Sequence, residues 1–494
     1  MTGERESPQY YPSAPQKQIW KAPNTLCLES LIPCYHGEIL RLTRDHPTST
    51  NILIQQALAK IRADSSLSML LKQSGILYMA GLFSLALSFA QQISTARILG
   101  ADDYGRLAVV ISSGMLVMLL VDFRTWEVAT KFMARPIADQ QHPETVRVMS
   151  WLLLIEAVTG MLGALGTAAL AGVIAVHLLQ APDLDELVRV YALSIPFRVL
   201  SAGVIGILPR LYNRFDWVAL KSVIYAVIRL VLMTGAALLG FGLTGVVVAA
   251  ALSEIINMGI LLLMTVAIRR RHLKNTRIWD FQPPQQFLSL RRLLGDMWIV
   301  STLAGFHFQT FIPLMALLTI PAQVGLFRTG MDIAELIEKT VQPMTIVFSP
   351  QIIALHEQER RAEFRRYLKQ VAVLMLGLTL LLGVGLLLAA HFVLPIILPD
   401  ADYARLPDIV MILVIGLGIH TALQWWIRPA MVAFGRVGWL NLNMAGLIVL
   451  SFPALVLLVP VWGAAGGAVV KAAFMGLYAL VSLVLLRFTL ASGR

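Results

Sequence analysis

The stretch FGLTG at residues 241–245 returns as WGAAG at residues 462–466, about 220 residues later, and this duplication indicates a fold built from two similar halves. Two further pairs keep the same order and nearly the same spacing: RFDW at 214–217 with RVGW at 436–439, and Gly105 with Gly325. Each pair precedes or opens a long apolar segment. In membrane proteins, an internal duplication of this kind is typical of transporters, which handle substrate where the two halves meet.

The composition indicates a helical protein that crosses the membrane many times. Of 494 residues, 57% are hydrophobic and 14% are charged, whereas about 25% are charged in soluble domains. The hydropathy predicts spans at 73–96, 105–130, 147–178, 187–209, 216–239, 243–268, 292–318, 324–353, 368–393, 406–433, 438–459 and 465–488. We therefore predict an all-α protein with about twelve transmembrane helices, arranged as two six-helix lobes related by a pseudo-two-fold axis.

The net charge of +11 is concentrated in alternate loops. Basic residues crowd the loops around 131–147, 210–221, 269–292, 360–369 and 428–436, whereas the opposite loops are mainly acidic. Basic loops mark the cytoplasmic side. We therefore expect both termini in the cytoplasm. The positive charge then indicates contact with anionic lipid headgroups and no nucleic-acid partner.

The chain divides into four predicted parts. Residues 1–68 are polar and Pro-containing and are predicted to be a disordered cytoplasmic segment, although Met69 could also be the natural start. Residues 69–268 form the predicted N-lobe, 269–290 a basic cytoplasmic linker, and 291–490 the C-lobe. The two cysteines, at positions 27 and 34, fall short of a metal site. No metal or cofactor is expected.

The predicted eighth span carries a charged stripe. Arg328, Asp332, Glu335 and Lys339 follow one another at helical spacing, and Gln342 comes three residues later. Because a charge at the bilayer centre costs about 2.5–3.5 kcal/mol, this stripe is expected to face the protein interior. It can line a cavity, or it can be a ladder in which Arg328 pairs with Asp332 and Glu335 with Lys339. We favour the cavity and keep the ladder open.

Further charges lie inside the spans of the first half. Arg residues suit phosphate because the guanidinium stays charged and offers several donors, and buried carboxylates can couple transport to an ion gradient. The substrate-binding candidates are Arg124, Arg198, Arg229, Arg328, Lys339 and Gln342, and the ion-coupling candidates are Asp332, Glu335, Glu127 and Glu254. No catalytic residue is predicted, because the external loops are short and the chain has no P-loop or zinc-protease motif.

Four short stretches carry a family resemblance: ARILG at 96–100, YGRLA at 104–108, RLYNRFDW at 210–217 and VGLFR at 324–328. They resemble the bacterial polysaccharide-export flippases, which include the O-antigen flippases of the multidrug/oligosaccharidyl-lipid/polysaccharide exporter superfamily. At 122–127 the chain reads DFRTWE, where relatives often have a Gly-containing turn.

The resemblance implies two lobes in a V around a central cavity, working by alternating access. It also implies a location in the bacterial inner membrane and a polyprenyl-diphosphate-linked oligosaccharide as cargo (an O-antigen, exopolysaccharide or capsule repeat unit). Its implied partners are membrane lipids and polysaccharide polymerase or assembly proteins. The leading hypothesis is therefore a flippase and not an enzyme. Two alternatives stay open. A multidrug or toxin exporter would prefer an acidic and aromatic cavity, and a membrane glycan polymerase would need larger external loops.

Overall fold

The computed structural model describes residues 65–178, 180–273 and 276–492, and all regular structure in these ranges is helical. Short 3-10 helices lie at Pro182–Leu184, Gln342–Met344 and Ala401–Tyr403. The α-helices are α1 (Ser65–Val121), α2 (Thr125–Ala138), α3 (His142–Ala169), α4 (Ala171–His177), α5 (Asp185–Ala192), α6 (Ile195–Ala202), α7 (Val204–Leu211), α8 (Phe215–Leu238), α9 (Gly242–His272), α10 (Phe287–Leu318), α11 (Pro321–Val341), α12 (Thr345–Glu357), α13 (Arg361–Phe392), α14 (Leu394–Ile397), α15 (Leu406–Ala433), α16 (Val437–Trp462) and α17 (Ala464–Ser492).

The helical membrane class is confirmed, but the count of twelve spans is not. Within the described ranges, nine helices are long and apolar enough to cross a membrane. α1 counts once, although it contains the first predicted span and most of the second. The two parts meet at a kink at Gly100 (φ 77°, ψ 172°), a conformation that glycine adopts without strain. α10 and α11 are not among the nine. In α10 only Gln309–Leu318 counts as a shorter apolar stretch, and in α11 the charged stripe lowers the hydropathy. Most of the predicted disordered segment 1–68, with both cysteines, lies outside the described residues.

Apolar side chains cover the outside of the helices as well as their packed faces. Leu263, Leu381 and Val461 are 73%, 71% and 74% exposed, which suits a surface in contact with lipid. α8 and α16 are the least enclosed of the nine, since only 17% of the residues in the most apolar part of each helix are buried. These two helices are the fifth and eleventh predicted spans. The duplication in the sequence thus places repeat partners in equivalent surroundings.

We call α1–α9 the N-lobe and α10–α17 the C-lobe. Residues 73–494 pack as one compact unit, so the lobe boundaries at 268 and 291 stay predictions. The repeat pair Gly105 and Gly325 face each other where the lobes touch. A Cβ on Gly105 would lie 1.9 Å from the carbonyl oxygen of Pro321, and one on Gly325 would lie 1.9 Å from that of Ala101. This reciprocity is expected if the pseudo-two-fold axis passes between the two glycines.

The lobes touch again about 22 Å further along α1, given a rise of about 1.5 Å per residue. The Trp298 indole nitrogen donates to the carbonyl of Leu120 at 2.8 Å, and the Trp298 ring stacks on Phe123 at 6.2 Å. The Ser301 hydroxyl donates to the Asp122 carboxylate at 3.2 Å. We call these the Trp298 contact and the earlier one the Gly105 contact. The two contacts leave a space between the lobes.

Two helices of the N-lobe are interrupted at sharp breaks. α1 ends at Val121, and α2 begins only after Arg124, which adopts the left-handed conformation (φ 46°, ψ 43°). The Arg124 backbone amide donates to the Asp122 carboxylate at 2.8 Å and supports this turn. Arg124 therefore takes the conformation that a glycine would take more cheaply. A second break, between α6 and α7, falls at Gly203 (φ −91°, ψ −131°).

The described residues of the predicted linker lie against α3. The Arg147 guanidinium donates to the Asp280 carboxylate at 3.0 Å, and the Gln285 backbone amide donates to Glu144 at 2.7 Å. The Gln282 backbone amide, followed by the Arg147 guanidinium, lowers the pKa of Asp280 below its usual range. These polar contacts fasten the linker to the N-lobe immediately before α10 begins.

Candidate functional site

A small cavity lies between the Gly105 contact and the Trp298 contact. Its volume is about 120 Å³, and both lobes line it. The lining residues are Met115, Met118, Leu119, Asp122 and Arg198 from the N-lobe, and Ser301, Gly305 and Gln309 from the C-lobe. We call this the central cavity. Arg198 is therefore the predicted substrate-binding residue that lies at the meeting place of the lobes.

Arg198 belongs to a cluster of polar side chains within the N-lobe. Its guanidinium contacts the Tyr191 hydroxyl at 3.3 Å and the Glu254 carboxylate at 3.8 Å. Tyr225 donates a hydrogen bond to the same Glu254 oxygen at 2.9 Å. Arg229 interacts electrostatically with Tyr225, and its buried Nε has no hydrogen-bond partner. With two guanidinium groups and one carboxylate, this N-lobe cluster carries a net positive charge.

The charged stripe of α11 is paired along its own helix. Arg328 contacts Asp332 at 2.8 Å, and Lys339 contacts Glu335 at 2.9 Å. These are the pairs of the ladder interpretation. Yet the side chains of Arg328, Glu335 and Lys339 remain 35%, 29% and 39% exposed. The stripe therefore combines pairing with access to open space, and its role in binding cargo stays a prediction.

Asp332 differs from the rest of the stripe because it is buried, with 1% of its side chain exposed. The Tyr104 hydroxyl of the N-lobe donates to its Oδ2 at 2.9 Å, and the same oxygen accepts from Arg328 Nε at 3.2 Å. Tyr104 immediately precedes Gly105. Asp332 thus fastens the lobes together at the Gly105 contact, a role that the sequence did not predict.

Two charged residues of the C-lobe interior escaped the sequence reasoning. Lys471 on α17 is 3% exposed and interacts electrostatically with Glu335 and Glu338 of α11. Its ammonium group lies 5.3 Å from the centroid of the Phe311 ring. The sequence does contain a signal that could have identified Lys471. It is a single charge inside the twelfth predicted span, as Arg229 is inside the fifth. Glu338 lies only three residues beyond Glu335.

The remaining predicted site residues lie away from the central cavity. Arg124 pairs with Glu127 at 2.6 Å, and both side chains are about one-third exposed next to the break between α1 and α2. Gln342 is exposed in the 3-10 turn that follows α11. In the described part of the chain, the Arg residues of the N-lobe and the stripe of the C-lobe form separate clusters. Arg198 approaches the C-lobe through the central cavity.

The chemistry of this arrangement suits the binding of an anion. The N-lobe cluster offers guanidinium donors to an anion in a poorly solvated space, where charge-assisted hydrogen bonds are strong. Over the described residues, no group of three or more His, Cys, Asp or Glu side chains is placed to hold a metal ion.

Comparisons with solved structures show which known folds this chain resembles. A multidrug resistance MATE family transporter of the MOP superfamily, in an inward-facing conformation, is 13% identical with a TM-score of 0.64, over 85% of this chain and 98% of that one. The lipid II flippase MurJ, in an inward closed conformation, is 11% identical with a TM-score of 0.65, over 83% and 87%. The MATE transporter VcmN of Vibrio cholerae, in its bent form, is 16% identical with a TM-score of 0.54, over 86% and 98%.

The comparison at the level of sequence families identifies the protein. No curated protein sequence matches the chain. A family model described as "Polysaccharide biosynthesis protein" matches residues 70–356, which is more than half of the chain. Its fold is that of the MOP-superfamily transporters and flippases, and the chain belongs to the polysaccharide biosynthesis protein family.

Proposed function

We propose that the protein is a flippase, a secondary transporter that moves a polyprenyl-diphosphate-linked oligosaccharide across the bacterial inner membrane. The observation that carries the proposal is the position of Arg198, which lines the cavity between the lobes and belongs to a cluster of net positive charge. A diphosphate is the anionic group common to such cargo. Its oxygens match the donors of a guanidinium group.

Arg229 supports the same assignment. Its Nε is buried without a hydrogen-bond partner, and an unsatisfied buried donor costs about 1–3 kcal/mol. An anion bound next to Arg198 would attract this second guanidinium. Glu254 contacts Arg198 and accepts the hydrogen bond of Tyr225, which also interacts with Arg229. It is the ion-coupling candidate with the best placement, because any change of its charge alters the field at Arg198.

The cavity also requires the lobes to move. About 120 Å³ holds roughly four water molecules at ~30 Å³ each, far less than an oligosaccharide. The cargo therefore enters only when either the Gly105 contact or the Trp298 contact opens. Following the basic-loop prediction, we propose that the Gly105 contact closes the external side and that the Trp298 contact closes the cytoplasmic side. Both termini are then cytoplasmic.

Deletion and complementation test this proposal. A deletion strain is expected to lose its surface polysaccharide and to keep lipid-linked repeat units in the inner leaflet. Arg198→Gln should fail to restore surface glycan, with at least about a tenfold loss, because a charge-assisted hydrogen bond is worth about 1.5–3 kcal/mol. Arg198→Lys should restore part of it.

The matched control is Arg189→Gln, an exposed arginine of the same lobe that pairs with Asp185. This variant should complement like the wild type at equal membrane abundance. Normal surface glycan in the clean deletion would refute the proposal. A deletion strain that is instead hypersensitive to cationic drugs would favour the multidrug exporter. Longer glycan products made by the purified protein would favour the polymerase and would contradict a purely non-enzymatic role.

A further inference from the structure

A second cavity, at the predicted cytoplasmic end of the N-lobe, is lined by two basic side chains. Its volume is about 300 Å³, and we call it the basic cavity. Arg210, near the end of α7, and Lys221, near the start of α8, both line it. Among the described residues that line this cavity there is no carboxylate. The cavity is therefore a space of positive charge.

The turn between α7 and α8 brings the two basic residues together. Asn213 takes the left-handed conformation there (φ 56°), which asparagine tolerates better than most residues. Its backbone amide donates to the carbonyl of Arg210 at 3.0 Å and closes the turn. Lys221 then faces the same cavity as Arg210 and interacts with it electrostatically. Two positive charges beside one cavity repel each other, and a bound anion removes this repulsion.

The carboxylates near this cavity have other partners. In the described part of the chain, neither Arg210 nor Lys221 forms an ion pair with a carboxylate. Asp216, which lies between them in sequence, pairs with Arg214 at 2.8 Å. Glu254 of α9 interacts electrostatically with Lys221, but it already belongs to the N-lobe cluster. The two basic side chains therefore keep donors for a ligand.

The polar groups of the lining suit phosphate. The hydroxyl groups of Ser201 and Ser222 each donate to a backbone carbonyl of their own helix. The free donors in the cavity are then those of Arg210 and Lys221. A guanidinium group offers donors in a fixed geometry that matches phosphate oxygens, and an ammonium group adds a compact charge.

The rest of the lining is suited to a lipid. It includes Ile207, Leu261 and Met264, and the Trp126 side chain, which is 39% exposed. Tryptophan is enriched where a helix meets the membrane surface, and α8 itself is largely exposed along its apolar part. Basic pockets between membrane helices on the cytoplasmic side bind the headgroups of anionic lipids.

We propose that the basic cavity binds one phosphate group, held by Arg210 and Lys221 and carried either by an anionic lipid of the cytoplasmic leaflet or by free inorganic phosphate. Arg214 and Arg271 lie 4.0 and 5.8 Å from the ring centroid of Trp217, one helical turn before Lys221, and add positive charge beside the site. The site goes beyond the proposed function, because neither Arg210 nor Lys221 is among the residues proposed to bind cargo.

The test is the thermal unfolding midpoint of the purified full-length protein in detergent. One arm compares inorganic phosphate with chloride at equal ionic strength, and the other compares phosphatidylglycerol with phosphatidylcholine at equal mole fraction. Because a ligand that binds only the folded state stabilises it, the bound form should raise the midpoint by about 2–4 °C. A shift in the first arm alone assigns the site to free phosphate, and a shift with phosphatidylglycerol alone assigns it to a lipid headgroup.

The double variant Arg210→Gln/Lys221→Gln should bind at least about tenfold more weakly, because it loses both charge-assisted contacts. If that variant does not fold, Ala202→Leu keeps both charges and adds bulk to the lining. It should weaken binding several-fold.

The matched control is Arg366→Gln/Lys369→Gln, which removes the same charge from two exposed residues of α13 outside the basic cavity. It should keep the full shift. Midpoints that respond in neither arm, or a shift that is undiminished in Arg210→Gln/Lys221→Gln, would overturn the site. No cargo is present, so a failure here leaves the flippase proposal standing.

Discussion

Replacing Gly105 with alanine should push the lobes apart at the Gly105 contact. The added Cβ would lie 1.9 Å from the Pro321 carbonyl oxygen and 2.8 Å from the Gly325 backbone nitrogen. Both obstacles are backbone atoms of α11, so no side-chain rotation can relieve the overlap. The variant must separate the two helices or leave the closed arrangement.

The size of the effect follows from overpacking, which costs typically about 1–3 kcal/mol. At about 1.4 kcal/mol per tenfold change, the equilibrium between closed and open lobes should shift by roughly 5- to 150-fold. If the open state holds about 1% of the wild-type protein, it would hold between about 5% and 60% of the variant. The effect should be equal for Gly325→Ala, because the two clashes are reciprocal.

Distance measurements between spin labels test this shift. The labels are placed at Glu186 and Asp402, exposed positions in the two lobes, after Cys27 and Cys34 are replaced by serine. A longer-distance population should grow in Gly105→Ala. The control is Gly172→Ala, where an added Cβ meets nothing within 4 Å. An unchanged distance distribution in a folded Gly105→Ala variant would refute the reasoning.

Three further outcomes are expected. Lys471→Met should destabilise the protein by about 3 kcal/mol, seen as a lower thermal midpoint, because it removes the buried ammonium group that interacts with Glu335 and Glu338; no change would contradict the interaction. Tyr104→Phe should weaken the Gly105 contact by about 1.5–3 kcal/mol through loss of its hydrogen bond to Asp332, and label distances between the lobes report it. Asp280→Asn should loosen the linker, which faster tryptic cleavage there would show. Because the pKa of Asp280 is lowered, wild-type linker contacts should be complete at neutral pH and lost only as the pH falls below the usual pKa range of an aspartate. Spin-label mobility in the linker measures this, and mobility independent of pH would contradict it.

Much of the fold could be predicted from spacing and composition. The duplication paired Gly105 with Gly325 and the fifth predicted span with the eleventh, which are α8 and α16. That the two glycines face each other is a finding of the structure. The cost of charge in a bilayer also predicted that the α11 stripe would avoid lipid and that Arg198 would face the protein.

The partners of those charges could not be predicted in the same way. In a membrane helix the lipid-facing and protein-facing sides are both apolar, so periodicity does not show which faces meet. The sequence does not mark Tyr191 and Tyr225 as partners of charged groups, because only the fold brings them to Arg198 and Glu254. Lys471 was recognisable as an expensive charge, but its interaction with Glu335 joins helices far apart in sequence. The break after Val121 depends on the left-handed backbone conformation of Arg124. Arginine rarely adopts this conformation, so the sequence does not indicate the break.

The attachment of the linker to α3 has a mechanical consequence. The chain is pinned to the N-lobe up to Gln285, and α10 starts at Phe287. Only Gln286 therefore separates the attached linker from the first helix of the C-lobe. Any movement of the C-lobe relative to the N-lobe on that side must be absorbed by bending of α10 itself. A Gly/Ser insert after Gln286 should lengthen this connection and allow a larger movement of the C-lobe. The movement would be seen as a broader distribution of distances between spin labels on the two lobes at that side. Label distances that do not change with the insert would mean that the lobes pivot at another place.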